Sequence, residues 1–192
     1  MLSKTSSIKS EYLPEVEFGG TYEINPLSSS ENNIYRINSP LSNDEYFVLE
    51  YRVKEGLYEV NTPGGDNGIL IYRVNDTLTG NANGPPDELY VYRTNGTPNS
   101  NGVFSGAVFN QEISRDKFND NTNPSCFLYD GSSGGINIAN IGLPGSTITF
   151  DVVNMMLLPE YHSVSYDSDL DGVINPNEEI VVEILLSNLS TF

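Results

Sequence analysis

Residues 167–178, DSDLDGVINPNE, place oxygen donors at a spacing suited to a hard cation: Asp167, Asp169 and Asp171 at the first, third and fifth positions, the Val173 carbonyl at the seventh, Asn175 at the ninth and Glu178 at the twelfth. An EF-type calcium loop uses this pattern. Single carboxylate oxygens come from positions one, three and five, a glycine at six makes the sharp turn, and a glutamate at twelve closes the shell with both of its oxygens. Gly172 occupies the sixth place and Ile174 supplies the apolar anchor at the eighth, while Asn175 can serve directly or through a water. Four carboxylates in so short a run repel one another, so the loop is expected to order only around a cation. The competing reading is an acidic, solvated turn between strands, which a chain with 26 Asp and Glu can form without any ligand.

The flanking residues decide what such a site serves. YHSVSY before the loop alternates apolar and polar residues, and EEIVVEILLSN after it contains the β-branched Ile180, Val181, Val182 and Ile184. Strands are expected on both sides, whereas a calcium sensor needs a helix pair that opens. Calcium is therefore read as a structural clasp holding the strand from Glu178 to Leu186, at the weak extracellular affinity of about 10⁻⁴ to 10⁻³ M.

Composition narrows the remaining chemistry. Nine Lys and Arg against 26 Asp and Glu give a formal net charge of −17, which repels phosphate backbones and anionic membranes and argues against nucleic acid as a partner. A single cysteine, Cys126, permits no internal disulfide, and with one histidine, His162, the chain cannot assemble an ordinary His/Cys zinc site. No run approaches the ~18 consecutive apolar residues of a membrane helix, so no membrane insertion is expected. The N-terminal MLSKTSSIKSEYL has no apolar stretch of signal-peptide length; a secreted or cell-surface location would depend on a signal outside this segment.

The elements that must position these residues are strands. Twelve tyrosines, eight phenylalanines and 17 glycines, with recurrent Asn-Gly turns, indicate an all-β fold: a sandwich-like arrangement or strongly bent antiparallel sheets with long turn-rich loops. Strands are expected over 32–37, 45–53, 68–75, 88–94, 102–109, 135–141, 146–153 and 178–186, with a helical turn only in NQEISRDKFND, 110–120. Residues 1–160 read as one β-rich domain and 161–192 as the calcium loop with its strand, similar to the opening of a further β-sandwich module.

In the strand 45–53, Phe47, Leu49, Tyr51 and Val53 share one face and Tyr46, Val48, Glu50 and Arg52 the other. Tyr-Arg recurs at 35/36, 51/52, 72/73 and 92/93. It could form an aromatic-cationic row that grips a glycan or peptide. The plainer reading puts the tyrosines in the core and the arginines in ion pairs. On that reading Glu50 is expected to lie between Arg52 and Arg73 as a structural ion-pair cluster.

Three segments in order, NDEYFVLEYRVKEGLYEV, GGDNGILIYRVNDTLTGNANGPPDELYVYRTNG and NPSCFLYDGSSGGINIANIGLPGSTITFDV, resemble the region downstream of the zinc site in secreted bacterial metallopeptidases of the immune inhibitor A type. The resemblance spans roughly residues 15–154. It implies an exported parent protein in which this β-rich segment completes or follows a protease domain, with that catalytic domain or neighbouring β modules as partners. The chain contains no HExxH, so no zinc ligand or catalytic glutamate carries over onto it. The expected function is a non-catalytic, calcium-stabilised, structural or substrate-positioning segment, and the alternative is an extracellular glycan- or peptide-binding or adhesion module.

Overall fold

The computed structural model describes residues 13–61, 65–153, 157–167 and 180–188. The chain divides into two compact units, Met1–Val153 and Asn154–Phe192. A boundary at 160/161 would fall inside a strand of the second unit.

The first unit is all-β and sandwich-like. Its strands are β1 (Gly20–Ile24), β2 (Ile34–Asn38), β3 (Glu45–Arg52), β4 (Gly68–Asn75), β5 (Leu89–Val91), β6 (Val108–Phe109), β7 (Ile138–Ala139) and β8 (Ile148–Val152). The larger sheet runs β2-β3-β4-β5, with β6 sharing the same edge of β4. Tyr72, Arg73 and Val74 pair with β5, and Ile69 and Leu70 pair with β6. The smaller sheet is β1-β8-β7, and all pairings in both sheets are antiparallel.

Period-two patterning explains which face is buried. In β8, Ile148, Phe150 and Val152 are buried while Thr149 is exposed. In β4, Ile69 and Ile71 point into the core. β3, flanked by β2 and β4, is buried on both faces: Phe47, Leu49 and Tyr51 lie inward, and Tyr46, Val48 and Glu50 are covered by long neighbouring side chains. The Arg36 guanidinium, for example, lies 4.0 Å from the centre of the Tyr46 ring.

One apolar cluster joins the sheets, from Ile24, Ile148 and Phe150 to Ile37, Phe47, Leu49 and Ile71. Tyr22 and Tyr35 pack on Phe150 at centroid distances of 5.7 and 6.0 Å. Tyr51 crosses this core, its hydroxyl donating to the Gly145 carbonyl at 2.9 Å.

Between β6 and β7 the chain makes a long, turn-rich excursion that contributes Phe118, Cys126, Phe127, Leu128 and Ile136 to the core. Phe118 and Ile138 exchange backbone hydrogen bonds at 2.8 and 2.9 Å. Asp120 organises the excursion, accepting from the Gly134 N–H at 3.1 Å, from the Cys126 thiol at 3.0 Å and from the Ser133 hydroxyl. Burial, reinforced by Asp120, pushes the Cys126 thiol pKa well up, so the cysteine behaves as a small core residue.

Two sequence expectations differ from this architecture. Residues 110–120 form turns closed by an Asn110–Arg115 bridge, and the helical pieces are instead α1 (Gly56–Glu59) and a 3₁₀ turn at Phe104–Gly106. The segment 102–109 pairs only at its end. Gly102 has φ +69, and a Cβ there would come within 2.6 Å of the Thr94 carbonyl oxygen, so the chain turns where an unbroken strand was expected.

The second unit contributes β9 (Leu157–Asp167) and β10 (Ile180–Asn188), an antiparallel pair running from Leu157 opposite Asn188 to Asp167 opposite Ile180. Register irregularities fall at Val181/Val182 and Glu183/Ile184.

Candidate metal centre and the ionic clusters of the large sheet

The acidic loop is the connection of a β-hairpin. Asp167, the first residue of the ligand pattern, is the last residue of β9, and β10 opens at Ile180 immediately opposite it. Asp169, Asp171, Val173, Asn175 and Glu178 lie outside the described residues. Their chain neighbours on both sides are strands, so the backbone reaches the loop along one antiparallel strand and leaves along its partner. Among the described residues, no group of three or more His, Cys, Asp or Glu side chains is arranged to hold a metal ion.

Two separate ionic clusters occupy opposite faces of the large sheet. On the outer face, Arg52 lies between two carboxylates, with Nε 2.6 Å from Glu50 Oε1 and Nη1 2.7 Å from Glu59 Oε2. The Tyr72 hydroxyl also donates to Glu50 Oε1. Burial works against the Arg52 charge, but hydrogen bonding and Coulomb attraction from Glu50, then Glu59, outweigh it and hold its pKa above the usual value. Burial first, and then the Glu50 charge, pushes the Tyr72 pKa up and keeps it a neutral donor.

Arg73 does not join this cluster. Glu50 sits opposite Leu70 in the β3–β4 register, and Arg73 sits opposite Phe47 on the inward parity with Ile69 and Ile71. Its partner is Glu45, inward for the same reason, with Nε 3.2 Å from Oε2 and side-chain exposures of 0% and 2%. Arg73 Nη2 donates to the Asp87 carbonyl at 3.0 Å, and the guanidinium lies 5.4 Å from the Tyr90 ring centre and 6.0 Å from that of Phe127. Its Nε and Nη1 make no directed hydrogen bond; the 3.2 Å approach of Nε to Glu45 is an electrostatic contact with the N–H aimed elsewhere. Glu45 accepts the Tyr129 N–H at 2.9 Å. Burial raises its pKa, the Tyr129 N–H and Arg73 pull it back, and Asp130 and Asp44 raise it again.

The other tyrosine-arginine pairs divide by parity. Tyr51 and Tyr92 are inward and fully buried, Tyr92 donating to the Phe127 carbonyl, stacking on Phe47 and meeting Phe118 and Phe127 edge-on. At 72/73 the pattern is reversed, tyrosine outward and arginine inward. Arg93 packs on exposed Phe104, at 5.0 Å from the ring centre. These side chains are split between both faces of the sheet and form no single row.

Sequence reasoning passed over Glu45 and Glu59, and its plainer reading put Tyr72 in the core, where the structure turns it outward onto Glu50. The signal for Glu45 and Arg73 was present in the alternation itself: each shares parity with core residues of its own strand, Phe47 and Leu49 or Ile69 and Ile71. Alternation places both opposite charges inward, and the β3–β4 register then brings them together as a buried pair. Compared with known proteins, the chain matches no family model, no curated protein and no solved structure.

Proposed function

We propose that this chain is a non-catalytic, calcium-stabilised β segment of a secreted or cell-surface, metallopeptidase-like protein of the immune inhibitor A type, acting in structure or in substrate positioning. The observation that carries the calcium part is the placement of the EF-spaced loop as the connection between paired strands. Antiparallel pairing brings the two ends of the loop together at Asp167 and Ile180. A cation held by Asp167, Asp169, Asp171, Asn175, Glu178 and the Val173 carbonyl would neutralise charges that otherwise oppose hairpin closure. A two-stranded hairpin is marginal in water by itself, so neutralisation at its connecting loop is worth most in such an element.

The scaffold role is supported by the disposition of the aromatic residues. Tyr51 and Tyr92, two of the four Tyr-Arg tyrosines, are each at most 1% exposed and serve the core, which favours a scaffold over a glycan- or peptide-gripping tyrosine face. The catalytic domain of the parent, or neighbouring β modules, are the partners this reading implies. Calcium titration by calorimetry, together with melting curves in calcium and in chelator, tests it. Saturable binding near 10⁻⁴ to 10⁻³ M is expected. At tenfold excess over Kd, calcium should stabilise the hairpin by about 1.4 kcal/mol, and Asp169→Asn with Asp171→Asn should abolish both effects. Identical melting in calcium and chelator would sink the calcium assignment.

A further inference from the structure

We propose that Asn101 is the chain's site of spontaneous deamidation, a succinimide-forming residue singled out by the fold from four Asn-Gly steps. Those steps are Asn67-Gly68, Asn83-Gly84, Asn95-Gly96 and Asn101-Gly102. All have the local sequence that favours the reaction, because glycine offers no Cβ to obstruct its own nitrogen and has a freely adjusting backbone. In the reaction, the deprotonated backbone nitrogen of the glycine attacks Cγ of the preceding asparagine. The Cγ–Nδ2 bond breaks and ammonia leaves, and water then opens the five-membered imide at either carbonyl to give aspartate or isoaspartate. No electrons are transferred, and water is the one co-reactant.

The fold guards three of these nitrogens or their asparagines. Gly84 N–H donates to the Asn81 carbonyl at 3.1 Å, and Gly96 N–H donates to the Arg93 carbonyl at 2.8 Å. Asn95 is also tied through its side-chain oxygen to Asn123 Nδ2 at 2.8 Å. At Asn67 the side-chain oxygen accepts the Lys54 N–H at 2.8 Å, and Gly68 is buried in β4, where a Cβ would come within 2.8 Å of the Phe109 carbonyl oxygen.

Asn101 differs in exposure and in hydrogen bonding, although Gly102 is as closely approached as Gly68, by the Thr94 carbonyl oxygen. Asn101 is exposed, and neither its side chain nor the Gly102 N–H has a hydrogen-bond partner among the described residues. It lines a polar depression, open to the water that completes the reaction, with Asp87 and Asn99. The neighbouring anchors, Ser100 N–H on the Thr97 carbonyl at 3.0 Å and Val103 N–H on the Thr94 carbonyl at 2.8 Å, hold the ends of the turn without engaging the Gly102 N–H. Deamidation would place a new carboxylate beside Asp87 in a chain already at −17.

The test is peptide mapping by mass spectrometry of the full chain, incubated folded at mildly alkaline pH and, in parallel, in urea. Releasing a hydrogen-bonded N–H slows attack by roughly three- to tenfold, so the Asn101 peptide should lead the other three by about that factor in the folded chain. In urea the four rates should converge. Asn101→Gln should remove the leading ammonia release and Asn83→Gln should leave it intact. Equal rates at another Asn-Gly step in the folded chain, no reaction at Asn101, or the same lead for Asn101 in urea would each overturn the assignment.

Discussion

Substituting Glu45 with Gln leaves the Arg73 guanidinium in the core with no carboxylate at ion-pair distance, only the more distant charge of Asp130. Arg73 is 0% exposed, so water cannot solvate the charge that loses its partner. Its remaining partners are one carbonyl, from Asp87, and the rings of Tyr90 and Phe127. Breaking a buried pair costs about 3–5 kcal/mol at most here, because burial, the largest cause of the raised Glu45 pKa, already opposes the carboxylate and the neutral amide escapes that part of the cost. For a unit spanning Met1–Val153, at ~2–4 °C per kcal/mol, melting should fall by about 6–20 °C at most. The reciprocal change, Arg73→Met, should cost less, because Glu45 can take up a proton.

The sign of the pH dependence follows from the raised Glu45 pKa. Between its ordinary value and its raised folded value the native state holds more protons than the unfolded one. The contribution of Glu45 to stability therefore declines as pH rises through that window and is at its most unfavourable above it. Arg73→Met removes a cation that pulls this pKa down, so the window should extend to higher pH and the variant should recover stability on mild acidification. Urea unfolding followed by circular dichroism and tyrosine fluorescence suits a chain with twelve tyrosines and no tryptophan. Glu45→Gln within about 1 kcal/mol of the wild type, or Arg73→Met with wild-type pH dependence, would refute the reasoning.

Arg52→Leu should cost only about 1 kcal/mol in the same assay, because Arg52 is a quarter exposed and Tyr72 still satisfies Glu50; a loss equal to that of Glu45→Gln would show that burial does not set the scale. Gly134→Ala should destabilise by about 3 kcal/mol or more, since the added Cβ would fall 1.9 Å from the Cys126 carbonyl oxygen and 2.6 Å from Phe47 Cζ. Unchanged urea midpoints for that variant would mean the 126–134 excursion is free to move away from the core.

Much of the fold could be read in the sequence because β structure has a short period. GILIYRVN is a strand from Gly68 to Asn75 in both readings, and EYFVLEYR matches β3 with its inward Phe47, Leu49 and Tyr51. β1 was passed over: in GTYEI only Ile24 is a fully buried residue, so apolar alternation is nearly silent there. The segment 102–109 misled because its apolar residues suit a strand, while the Gly102 conformation and its close approach to Thr94 impose a turn.

The spacing of Asp167, Asp169, Asp171, Asn175 and Glu178 is a property of the sequence alone, because one loop carries every ligand. The large sheet's ionic clusters are not, because their partners come from different strands. Alternation alone puts Glu50 and Arg52 on one face and Arg73 on the inward face of its own strand. Only the β3–β4 register decides that Arg73 lies within reach of Glu45 and that Tyr72, not Arg73, reaches Glu50. The same holds for the Asn-Gly steps: four identical dipeptides are distinguished by the hydrogen bonds and burial that the surrounding fold gives each one. Local chemistry is written along the chain. Choices among equivalent residues depend on register and burial, which exist only once distant segments pack together.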